Sequence, residues 1–143
     1  VISFDMSEVR DLADDLDDAG PRVTQRSRLV MEKTSEDVVA DAQHACPVRT
    51  GNLKGSIGAD VDGDGLGFEA GPTASYGADV EFGTPAHIIR PRDKQALFWP
   101  GAGHPVRMVQ HPGTSPQPYL LPAFDRRVPP AIQALERVAA EPW

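Results

Sequence analysis

The hydrophobic period of this 143-residue chain changes once, at Pro47, and that change limits the fold more than any other feature. Before it, Val9, Leu12 and Leu16 recur at spacings of three and four while Glu8, Arg10, Asp11, Asp14, Asp15 and Asp17 fill the opposite face. That pattern predicts an amphipathic helix, with Ser7 as its N-cap. Gly20-Pro21 reads as a stop followed by proline at a first helical position. A second helix is then expected from about Pro21 to Ala45, where Val23, Ser27, Val30, Met31, Thr34, Val38, Ala42 and Ala45 keep the helical period. Cys46-Pro47 ends it, because the residue before a proline is pushed out of the α region.

After Pro47 the period falls towards two. Ser56–Val61 and Leu66–Ala70 flank Asp62-Gly63-Asp64-Gly65, and Asp-Gly between alternating segments predicts a β-hairpin. Ala78–Phe82, His87–Arg90, Gln95–Trp99 and Val106–His111 are further extended candidates, each fenced by Gly or Pro. Beyond Pro118, the apolar positions from Tyr119 to Val138 predict a C-terminal helical segment, interrupted at Val128-Pro129-Pro130. The expected fold is a single α+β domain over residues 1–143. A helical part (7–45) and a C-terminal helix (119–140) pack on a mainly antiparallel sheet within 46–118. Leu53, Ile57, Val80, Phe82, Leu120 and Leu121 occupy the apolar phase of their segments and are expected in one core.

Twelve of the fourteen prolines follow position 70, so the two halves of the chain obey different building rules. The single Cys46 excludes an internal disulfide and a cysteine-based zinc cage. No run approaches the ~20 apolar residues of a membrane span, and no charged-then-apolar leader opens the sequence, so a soluble chain without a secretion signal is expected. Charge is unevenly spread. Residues 1–45 hold five basic and eleven acidic groups, 46–84 two and six, and 85–143 seven and four. A net charge of −7 argues against wrapping nucleic acid by phosphate neutralisation, whereas oppositely charged segments can pair within a subunit or between copies.

Few residues arrange themselves for chemistry. Asp60-x-Asp62-x-Asp64-Gly65 matches the first half of a calcium loop, but Gly71 stands where the bidentate glutamate belongs, and the flanks read as strands. His87, His104 and His111, with Asp93 or Glu81, could be imagined as a zinc site. Their spacings of 17 and 7 across proline-rich loops lack the short, rigid spacing of zinc hydrolases. No nucleophile elbow, phosphate loop or dinucleotide fingerprint occurs. No cofactor is expected, and an enzyme reading survives only as a small metal-dependent hydrolase. Phe98 and Trp99, near Arg90, Arg92 and Arg107, could stack on single-stranded nucleic acid, but aromatics before Pro-Gly also mark an ordinary strand end.

Three segments are more specific. Cys46–Ile57 carries Pro47, Thr50, Gly51, Leu53 and Ser56 directly after a long helix; Tyr76–Thr84 carries Tyr76, Glu81, Phe82, Gly83 and Thr84; and His111–Ala123 carries Pro112, Gly113, Pro118, Tyr119, Leu120 and Pro122. Thr50-Gly51 suits a helix-to-sheet joint, with a hydroxyl to bond the backbone and a glycine free to take positive φ. Alternation would hold Glu81 on a defined sheet surface, either solvated or meeting a buried or intersubunit partner.

In order and spacing these segments resemble the gene-product-ten-like family of tailed-phage proteins, over about residues 7–140. Tyr119 stands where that family favours Phe, and Gly55 where a basic residue is frequent. The resemblance implies a non-enzymatic structural protein of the head-to-tail junction of a long-tailed phage: a neck, head-to-tail joining or tail-completion component. It would form a sixfold ring, joined to a stopper or adaptor, a tail terminator or the tail tube, with DNA passing through the ring and no specific nucleic-acid or membrane partner. The implied location is the virion, at the neck or tail top, with assembly in the host cytoplasm. A tail-terminator ring capping the tail tube is the alternative that shares this topology. Within such a ring, Asp11, Asp14 and Asp15 of one copy are expected to face Arg90, Arg92, Lys94 and Arg107 of the next.

Overall fold

The computed structural model describes residues 7–141; the side chains of 7–13 and 15–17 lie outside the description. Its longest element, α1 (Ser7–Ala45), is one uninterrupted helix of 39 residues, about 58 Å at 1.5 Å per residue. The expected break at Gly20-Pro21 does not occur. Pro21 sits inside α1 on an exposed face, where water can serve the carbonyl it leaves without a donor, and Thr24 Oγ1 donates to the Gly20 carbonyl at 3.0 Å. The cost is confined to one turn of a helix whose apolar period continues across it.

The chain leaves α1 through Pro47 and turns at Gly51, whose φ is 84°, while the Asn52 amide donates to Thr50 Oγ1 at 3.4 Å. A one-turn helix, α2 (Asn52–Ser56), then delivers Leu53 and Ile57 to the core. β1 (Ile57–Val61) and β2 (Phe68–Pro72) form the predicted antiparallel hairpin, with Ala59 opposite Ala70. Its turn is closed by Gly65 N–H to Asp62 C=O and by Leu66 N–H to Asp64 Oδ1. β1 runs back along α1. Gln43 Nε2 donates to the Ile57 carbonyl at one end, and Arg28 Nη2 donates to the Asp64 carbonyl at the other.

Residues 78–82, expected to be extended, are helical instead: α3 spans Gly77–Phe82. Phe82 consequently points outward with 64% of its surface exposed, and Glu81 is buried, the reverse of the burial that alternation predicted. After α3 come β3 (His87–Ile89) and β4 (Val109–His111), a second antiparallel pair. Of the expected segments Gln95–Trp99 and Val106–His111, the first contributes only the isolated bridge Leu97–Val106, and the second pairs as a strand only at Val109–His111. The anticipated sheet is therefore two separate two-stranded ladders.

α4 (Leu121–Ala140) is continuous through Pro129 and Pro130, correcting the expected interruption. The two prolines and the residues whose carbonyls they strand, Asp125 and Arg126, are all exposed, while Ala123 and Ala131 are buried. α4 packs antiparallel along α1. Arg127 donates Nε and Nη2 to the two oxygens of Asp41 at 2.7 and 2.9 Å, and Arg26 Nη1 reaches the Glu141 carbonyl. The core gathers Val38, Ala42 and Cys46 of α1 and its exit with Leu53, Ile57, Tyr119 and Ala123. Val80 and Leu120 pack at its edge, Phe68 stacks on Phe124 with centroids 5.9 Å apart, and Leu121 is exposed rather than buried. The molecule is a mixed α+β domain in which α1 is shared by the hairpin and α4. No helix among the described residues is long and apolar enough to cross a membrane.

Candidate functional site

The second and third sequence signatures meet at the buried carboxylate of Glu81, and the first lines a groove beside them. Glu81 Oε2 accepts the backbone N–H groups of Tyr119 (2.8 Å) and Leu120 (2.9 Å), and Oε1 accepts that of Leu121 (2.9 Å). These amides belong to the start of α4, where N–H groups have no partner within their own helix and the helix dipole favours negative charge. α4 is thus capped by a carboxylate from about forty positions earlier in the chain. Tyr119, 1% exposed, donates its hydroxyl to the Gly77 carbonyl at 3.2 Å, and Gln117 N–H donates to the Val80 carbonyl at 2.8 Å. Burial pushes the Tyr119 phenol above its ordinary pKa, with Cys46 and Glu81 adding to the rise. Burial likewise raises the Cys46 thiol against the pull of Lys54.

The same clasp fixes the first signature. Ser56 Oγ donates to the Leu53 carbonyl and accepts the Ala74 amide, tying α2 to the turn before α3. Thr84 and Thr114 pair reciprocally, N–H to C=O in both directions at 3.1 and 3.0 Å. Gly83 (φ 71°) and Gly113 (φ 87°) flank that pair, and a Cβ on either would overlap the opposing backbone, so both sites require glycine. Pro47, Thr50, Tyr76, Thr84 and Thr114 then line an open groove of about 710 Å³. Pro112, Pro118 and Pro122 are exposed on the return path to α4.

Between the paired threonines the chain makes an excursion. Residues 85–113 run out through β3, cross the Leu97–Val106 bridge, turn at Trp99–Ala102 and come back through β4. His87 and His111 face each other across this arm, ring centroids 5.1 Å apart, while His104 lies beyond the bridge. β3 and β4 make their substantial contacts with one another. Ile88, Ile89, Phe98, Trp99 and Met108 are exposed, Phe98 to 69%. Arg90, Arg92, Lys94 and Arg107 are exposed beside them and form no ion pair among the described residues. Of their expected acidic partners, Asp14 is exposed on α1, and the side chains of Asp11 and Asp15 lie outside the described residues.

The opposite charges that do meet within the subunit are others. Arg126 and Arg127 of α4 pair with Asp37 and Asp41 of α1. The Arg127 hydrogen bond foremost, with the fields of Arg127 and Arg126 behind it and burial opposing, holds the Asp41 carboxyl below its ordinary pKa. Sequence reading had no means to single out Asp41 and Arg127, 86 positions apart, because each looks like an ordinary solvated helix charge. Among the described residues no three His, Cys, Asp or Glu side chains gather as metal ligands would.

The profile of the HK97-gp10_like family, described as "Bacteriophage HK97-gp10, putative tail-component", matches residues 10–83, more than half of the chain. The chain belongs to this family of phage tail components. No curated protein and no solved structure matches it significantly. The family match takes in α1 from Arg10 onward, the joint, the hairpin and α3 with Glu81, and it ends at Gly83, just before the arm.

Proposed function

We propose that this tail-component family member is a structural, non-enzymatic subunit of a ring at the head-to-tail junction of a long-tailed phage, where it joins or completes the tail at the neck. The observation that carries the reading is the arm. A clasped core extends a two-stranded, apolar and basic limb that nothing among the described residues covers. Head-to-tail contacts of one surface with a different surface on the next copy close into rings when the rotation permits, and a projecting arm is suited to that geometry. Acidic residues on α1 facing the cationic arm of a neighbour would set register, while apolar contacts would supply most of the affinity. The proposed partners are five further copies of the chain and the neighbouring neck or tail proteins, with DNA threading the ring.

The test is positional. Purified protein examined by native mass spectrometry, together with an epitope tag imaged in virions, is expected to give a closed oligomer and a label at the junction of head and tail. A label at the head-distal end of the tail, or a chain absent from the particle, overturns the reading. A ring seated directly on the last tail-tube layer would instead identify it as the terminator.

A further inference from the structure

One edge of β1 has no partner strand among the described residues. The bonds flanking the hairpin, Thr73 N–H to Ser56 C=O and Asp62 N–H to Gly67 C=O, fix its phase. Even-numbered residues of β1 point their backbone groups at β2, and Ile57, Ala59 and Val61 point theirs away. Gln43 occupies the Ile57 carbonyl, but no hydrogen bond among the described residues uses the outward groups of Ala59 or Val61. They open on a groove of about 420 Å³ between β1 and α1, floored by Val39 and rimmed by Glu32 and Glu36. Both glutamates are exposed and neither forms an ion pair among the described residues. An unpaired edge of this kind is a template for an added strand, and its acidic rim selects a basic one.

The arm supplies such a strand. The Thr84–Thr114 pair sets the phase of β3 in the same way, so His87 and Ile89 direct their backbone groups outward, away from β4. Arg90, Arg92 and Lys94 follow immediately, three cations against two carboxylates, none of them in an ion pair among the described residues. β4 is flanked by Arg107 alone, so charge favours β3 as the added edge. We infer that β3 of one copy pairs with the open edge of β1 in the next, making a four-stranded sheet in the order β2-β1-β3-β4 shared by two subunits. This inference rests on the ring reading and gives the arm a definite seat. It moves the acidic partner from the first turns of α1 to Glu32 and Glu36 at its middle. It also accounts for two ladders of two strands each, a size that is marginal on its own.

Hydrogen exchange on the wild-type chain tests it without altering the fold. On passing from dilute monomer to assembled ring, the amides of Ala59, Val61, His87 and Ile89 are expected to slow by about tenfold or more, as newly bonded amides do. A ring in which those four amides exchange as in the monomer overturns the shared sheet and leaves the ring reading standing. A chain that stays monomeric at every concentration overturns both. Two variants sharpen the result. Ala59→Pro removes only an outward N–H and is expected to keep the monomer's melting midpoint while abolishing assembly. The exposed pair Glu32→Lys with Glu36→Lys is expected to weaken assembly at least about tenfold, with recovery on adding Arg90→Glu and Arg92→Glu. Assembly of Ala59→Pro at wild-type strength, or failure of the charge-swapped chain to recover, counts against the shared sheet alone.

Discussion

On one side of the Thr84–Thr114 pair, buried side-chain polar groups find their partners among the described residues; on the other, the backbone pairs but apolar and cationic side chains stand exposed. In the clasp, the Glu81 carboxylate meets three amides, the Tyr119 hydroxyl meets the Gly77 carbonyl, and Ser56 holds two backbone groups. No buried side-chain nitrogen or oxygen among the described residues lacks a partner. In the arm, aromatic and aliphatic side chains stand in water beside four cations that form no ion pair among the described residues. The clasp satisfies its buried polar groups within the subunit, whereas the arm leaves apolar surface exposed, so on the proposed ring reading stability and assembly should be separable by mutation.

The largest expected effect is in the clasp. Glu81→Ala strands the amides of Tyr119, Leu120 and Leu121 at a partly buried helix start and should cost about 3–5 kcal/mol, read from denaturant unfolding. A loss below ~1 kcal/mol would mean that water replaces the carboxylate and that the clasp is dispensable. Tyr119→Phe keeps the ring packed and deletes one buried hydroxyl bond, for an expected loss of about 1 kcal/mol on the same measurement.

Smaller again is the α1–α4 pair. Because Asp41 has a lowered folded pKa, its contribution is full above the ordinary carboxylate range and disappears as pH falls through the lowered value. The difference in melting midpoint between wild type and Asp41→Asn should therefore be constant from neutral to mildly alkaline pH and vanish in strong acid. A difference that persists in acid would point to packing rather than charge. Smallest of all, Phe98→Ser with Trp99→Ser, or Phe82→Ala, should leave unfolding within about 0.5 kcal/mol of wild type. The arm double variant alone should impair ring assembly by light scattering. If it unfolds the monomer instead, the contrast between clasp and arm is wrong.

How far the residues announced this arrangement differs by element. α1, the Asp-Gly hairpin and the Thr50-Gly51 joint were legible because each rests on local chemistry: a helical period, a turn sequence, a glycine at positive φ. The breaks expected at Pro21 and Pro129-Pro130 did not form, because proline's cost in a helix, about 3 kcal/mol, is local and those sites face water while the opposite faces are buried. Residues 78–82 misled for a different reason. Their alternation fits a strand, but the amides of residues 119–121 demand a carboxylate, and one helical turn is what aims Glu81 at them. No window around Glu81 contains that demand. The family resemblance picked out the residues of the clasp without revealing the bond that unites them.

The Thr84–Thr114 pair has one more consequence. Residues thirty positions apart share a hydrogen-bonded rung, so the chain departs from the core and returns to it at the same point. Lengthening such a closed excursion costs little: each doubling adds only about 0.6 kcal/mol of closure entropy, none of it charged to the core. Insertions into or deletions from residues 98–105 are accordingly expected to leave the melting midpoint of the core unchanged, as one trims a cord tied at a single knot. The reach of the subunit is in that sense an adjustable length, set apart from everything that makes it fold.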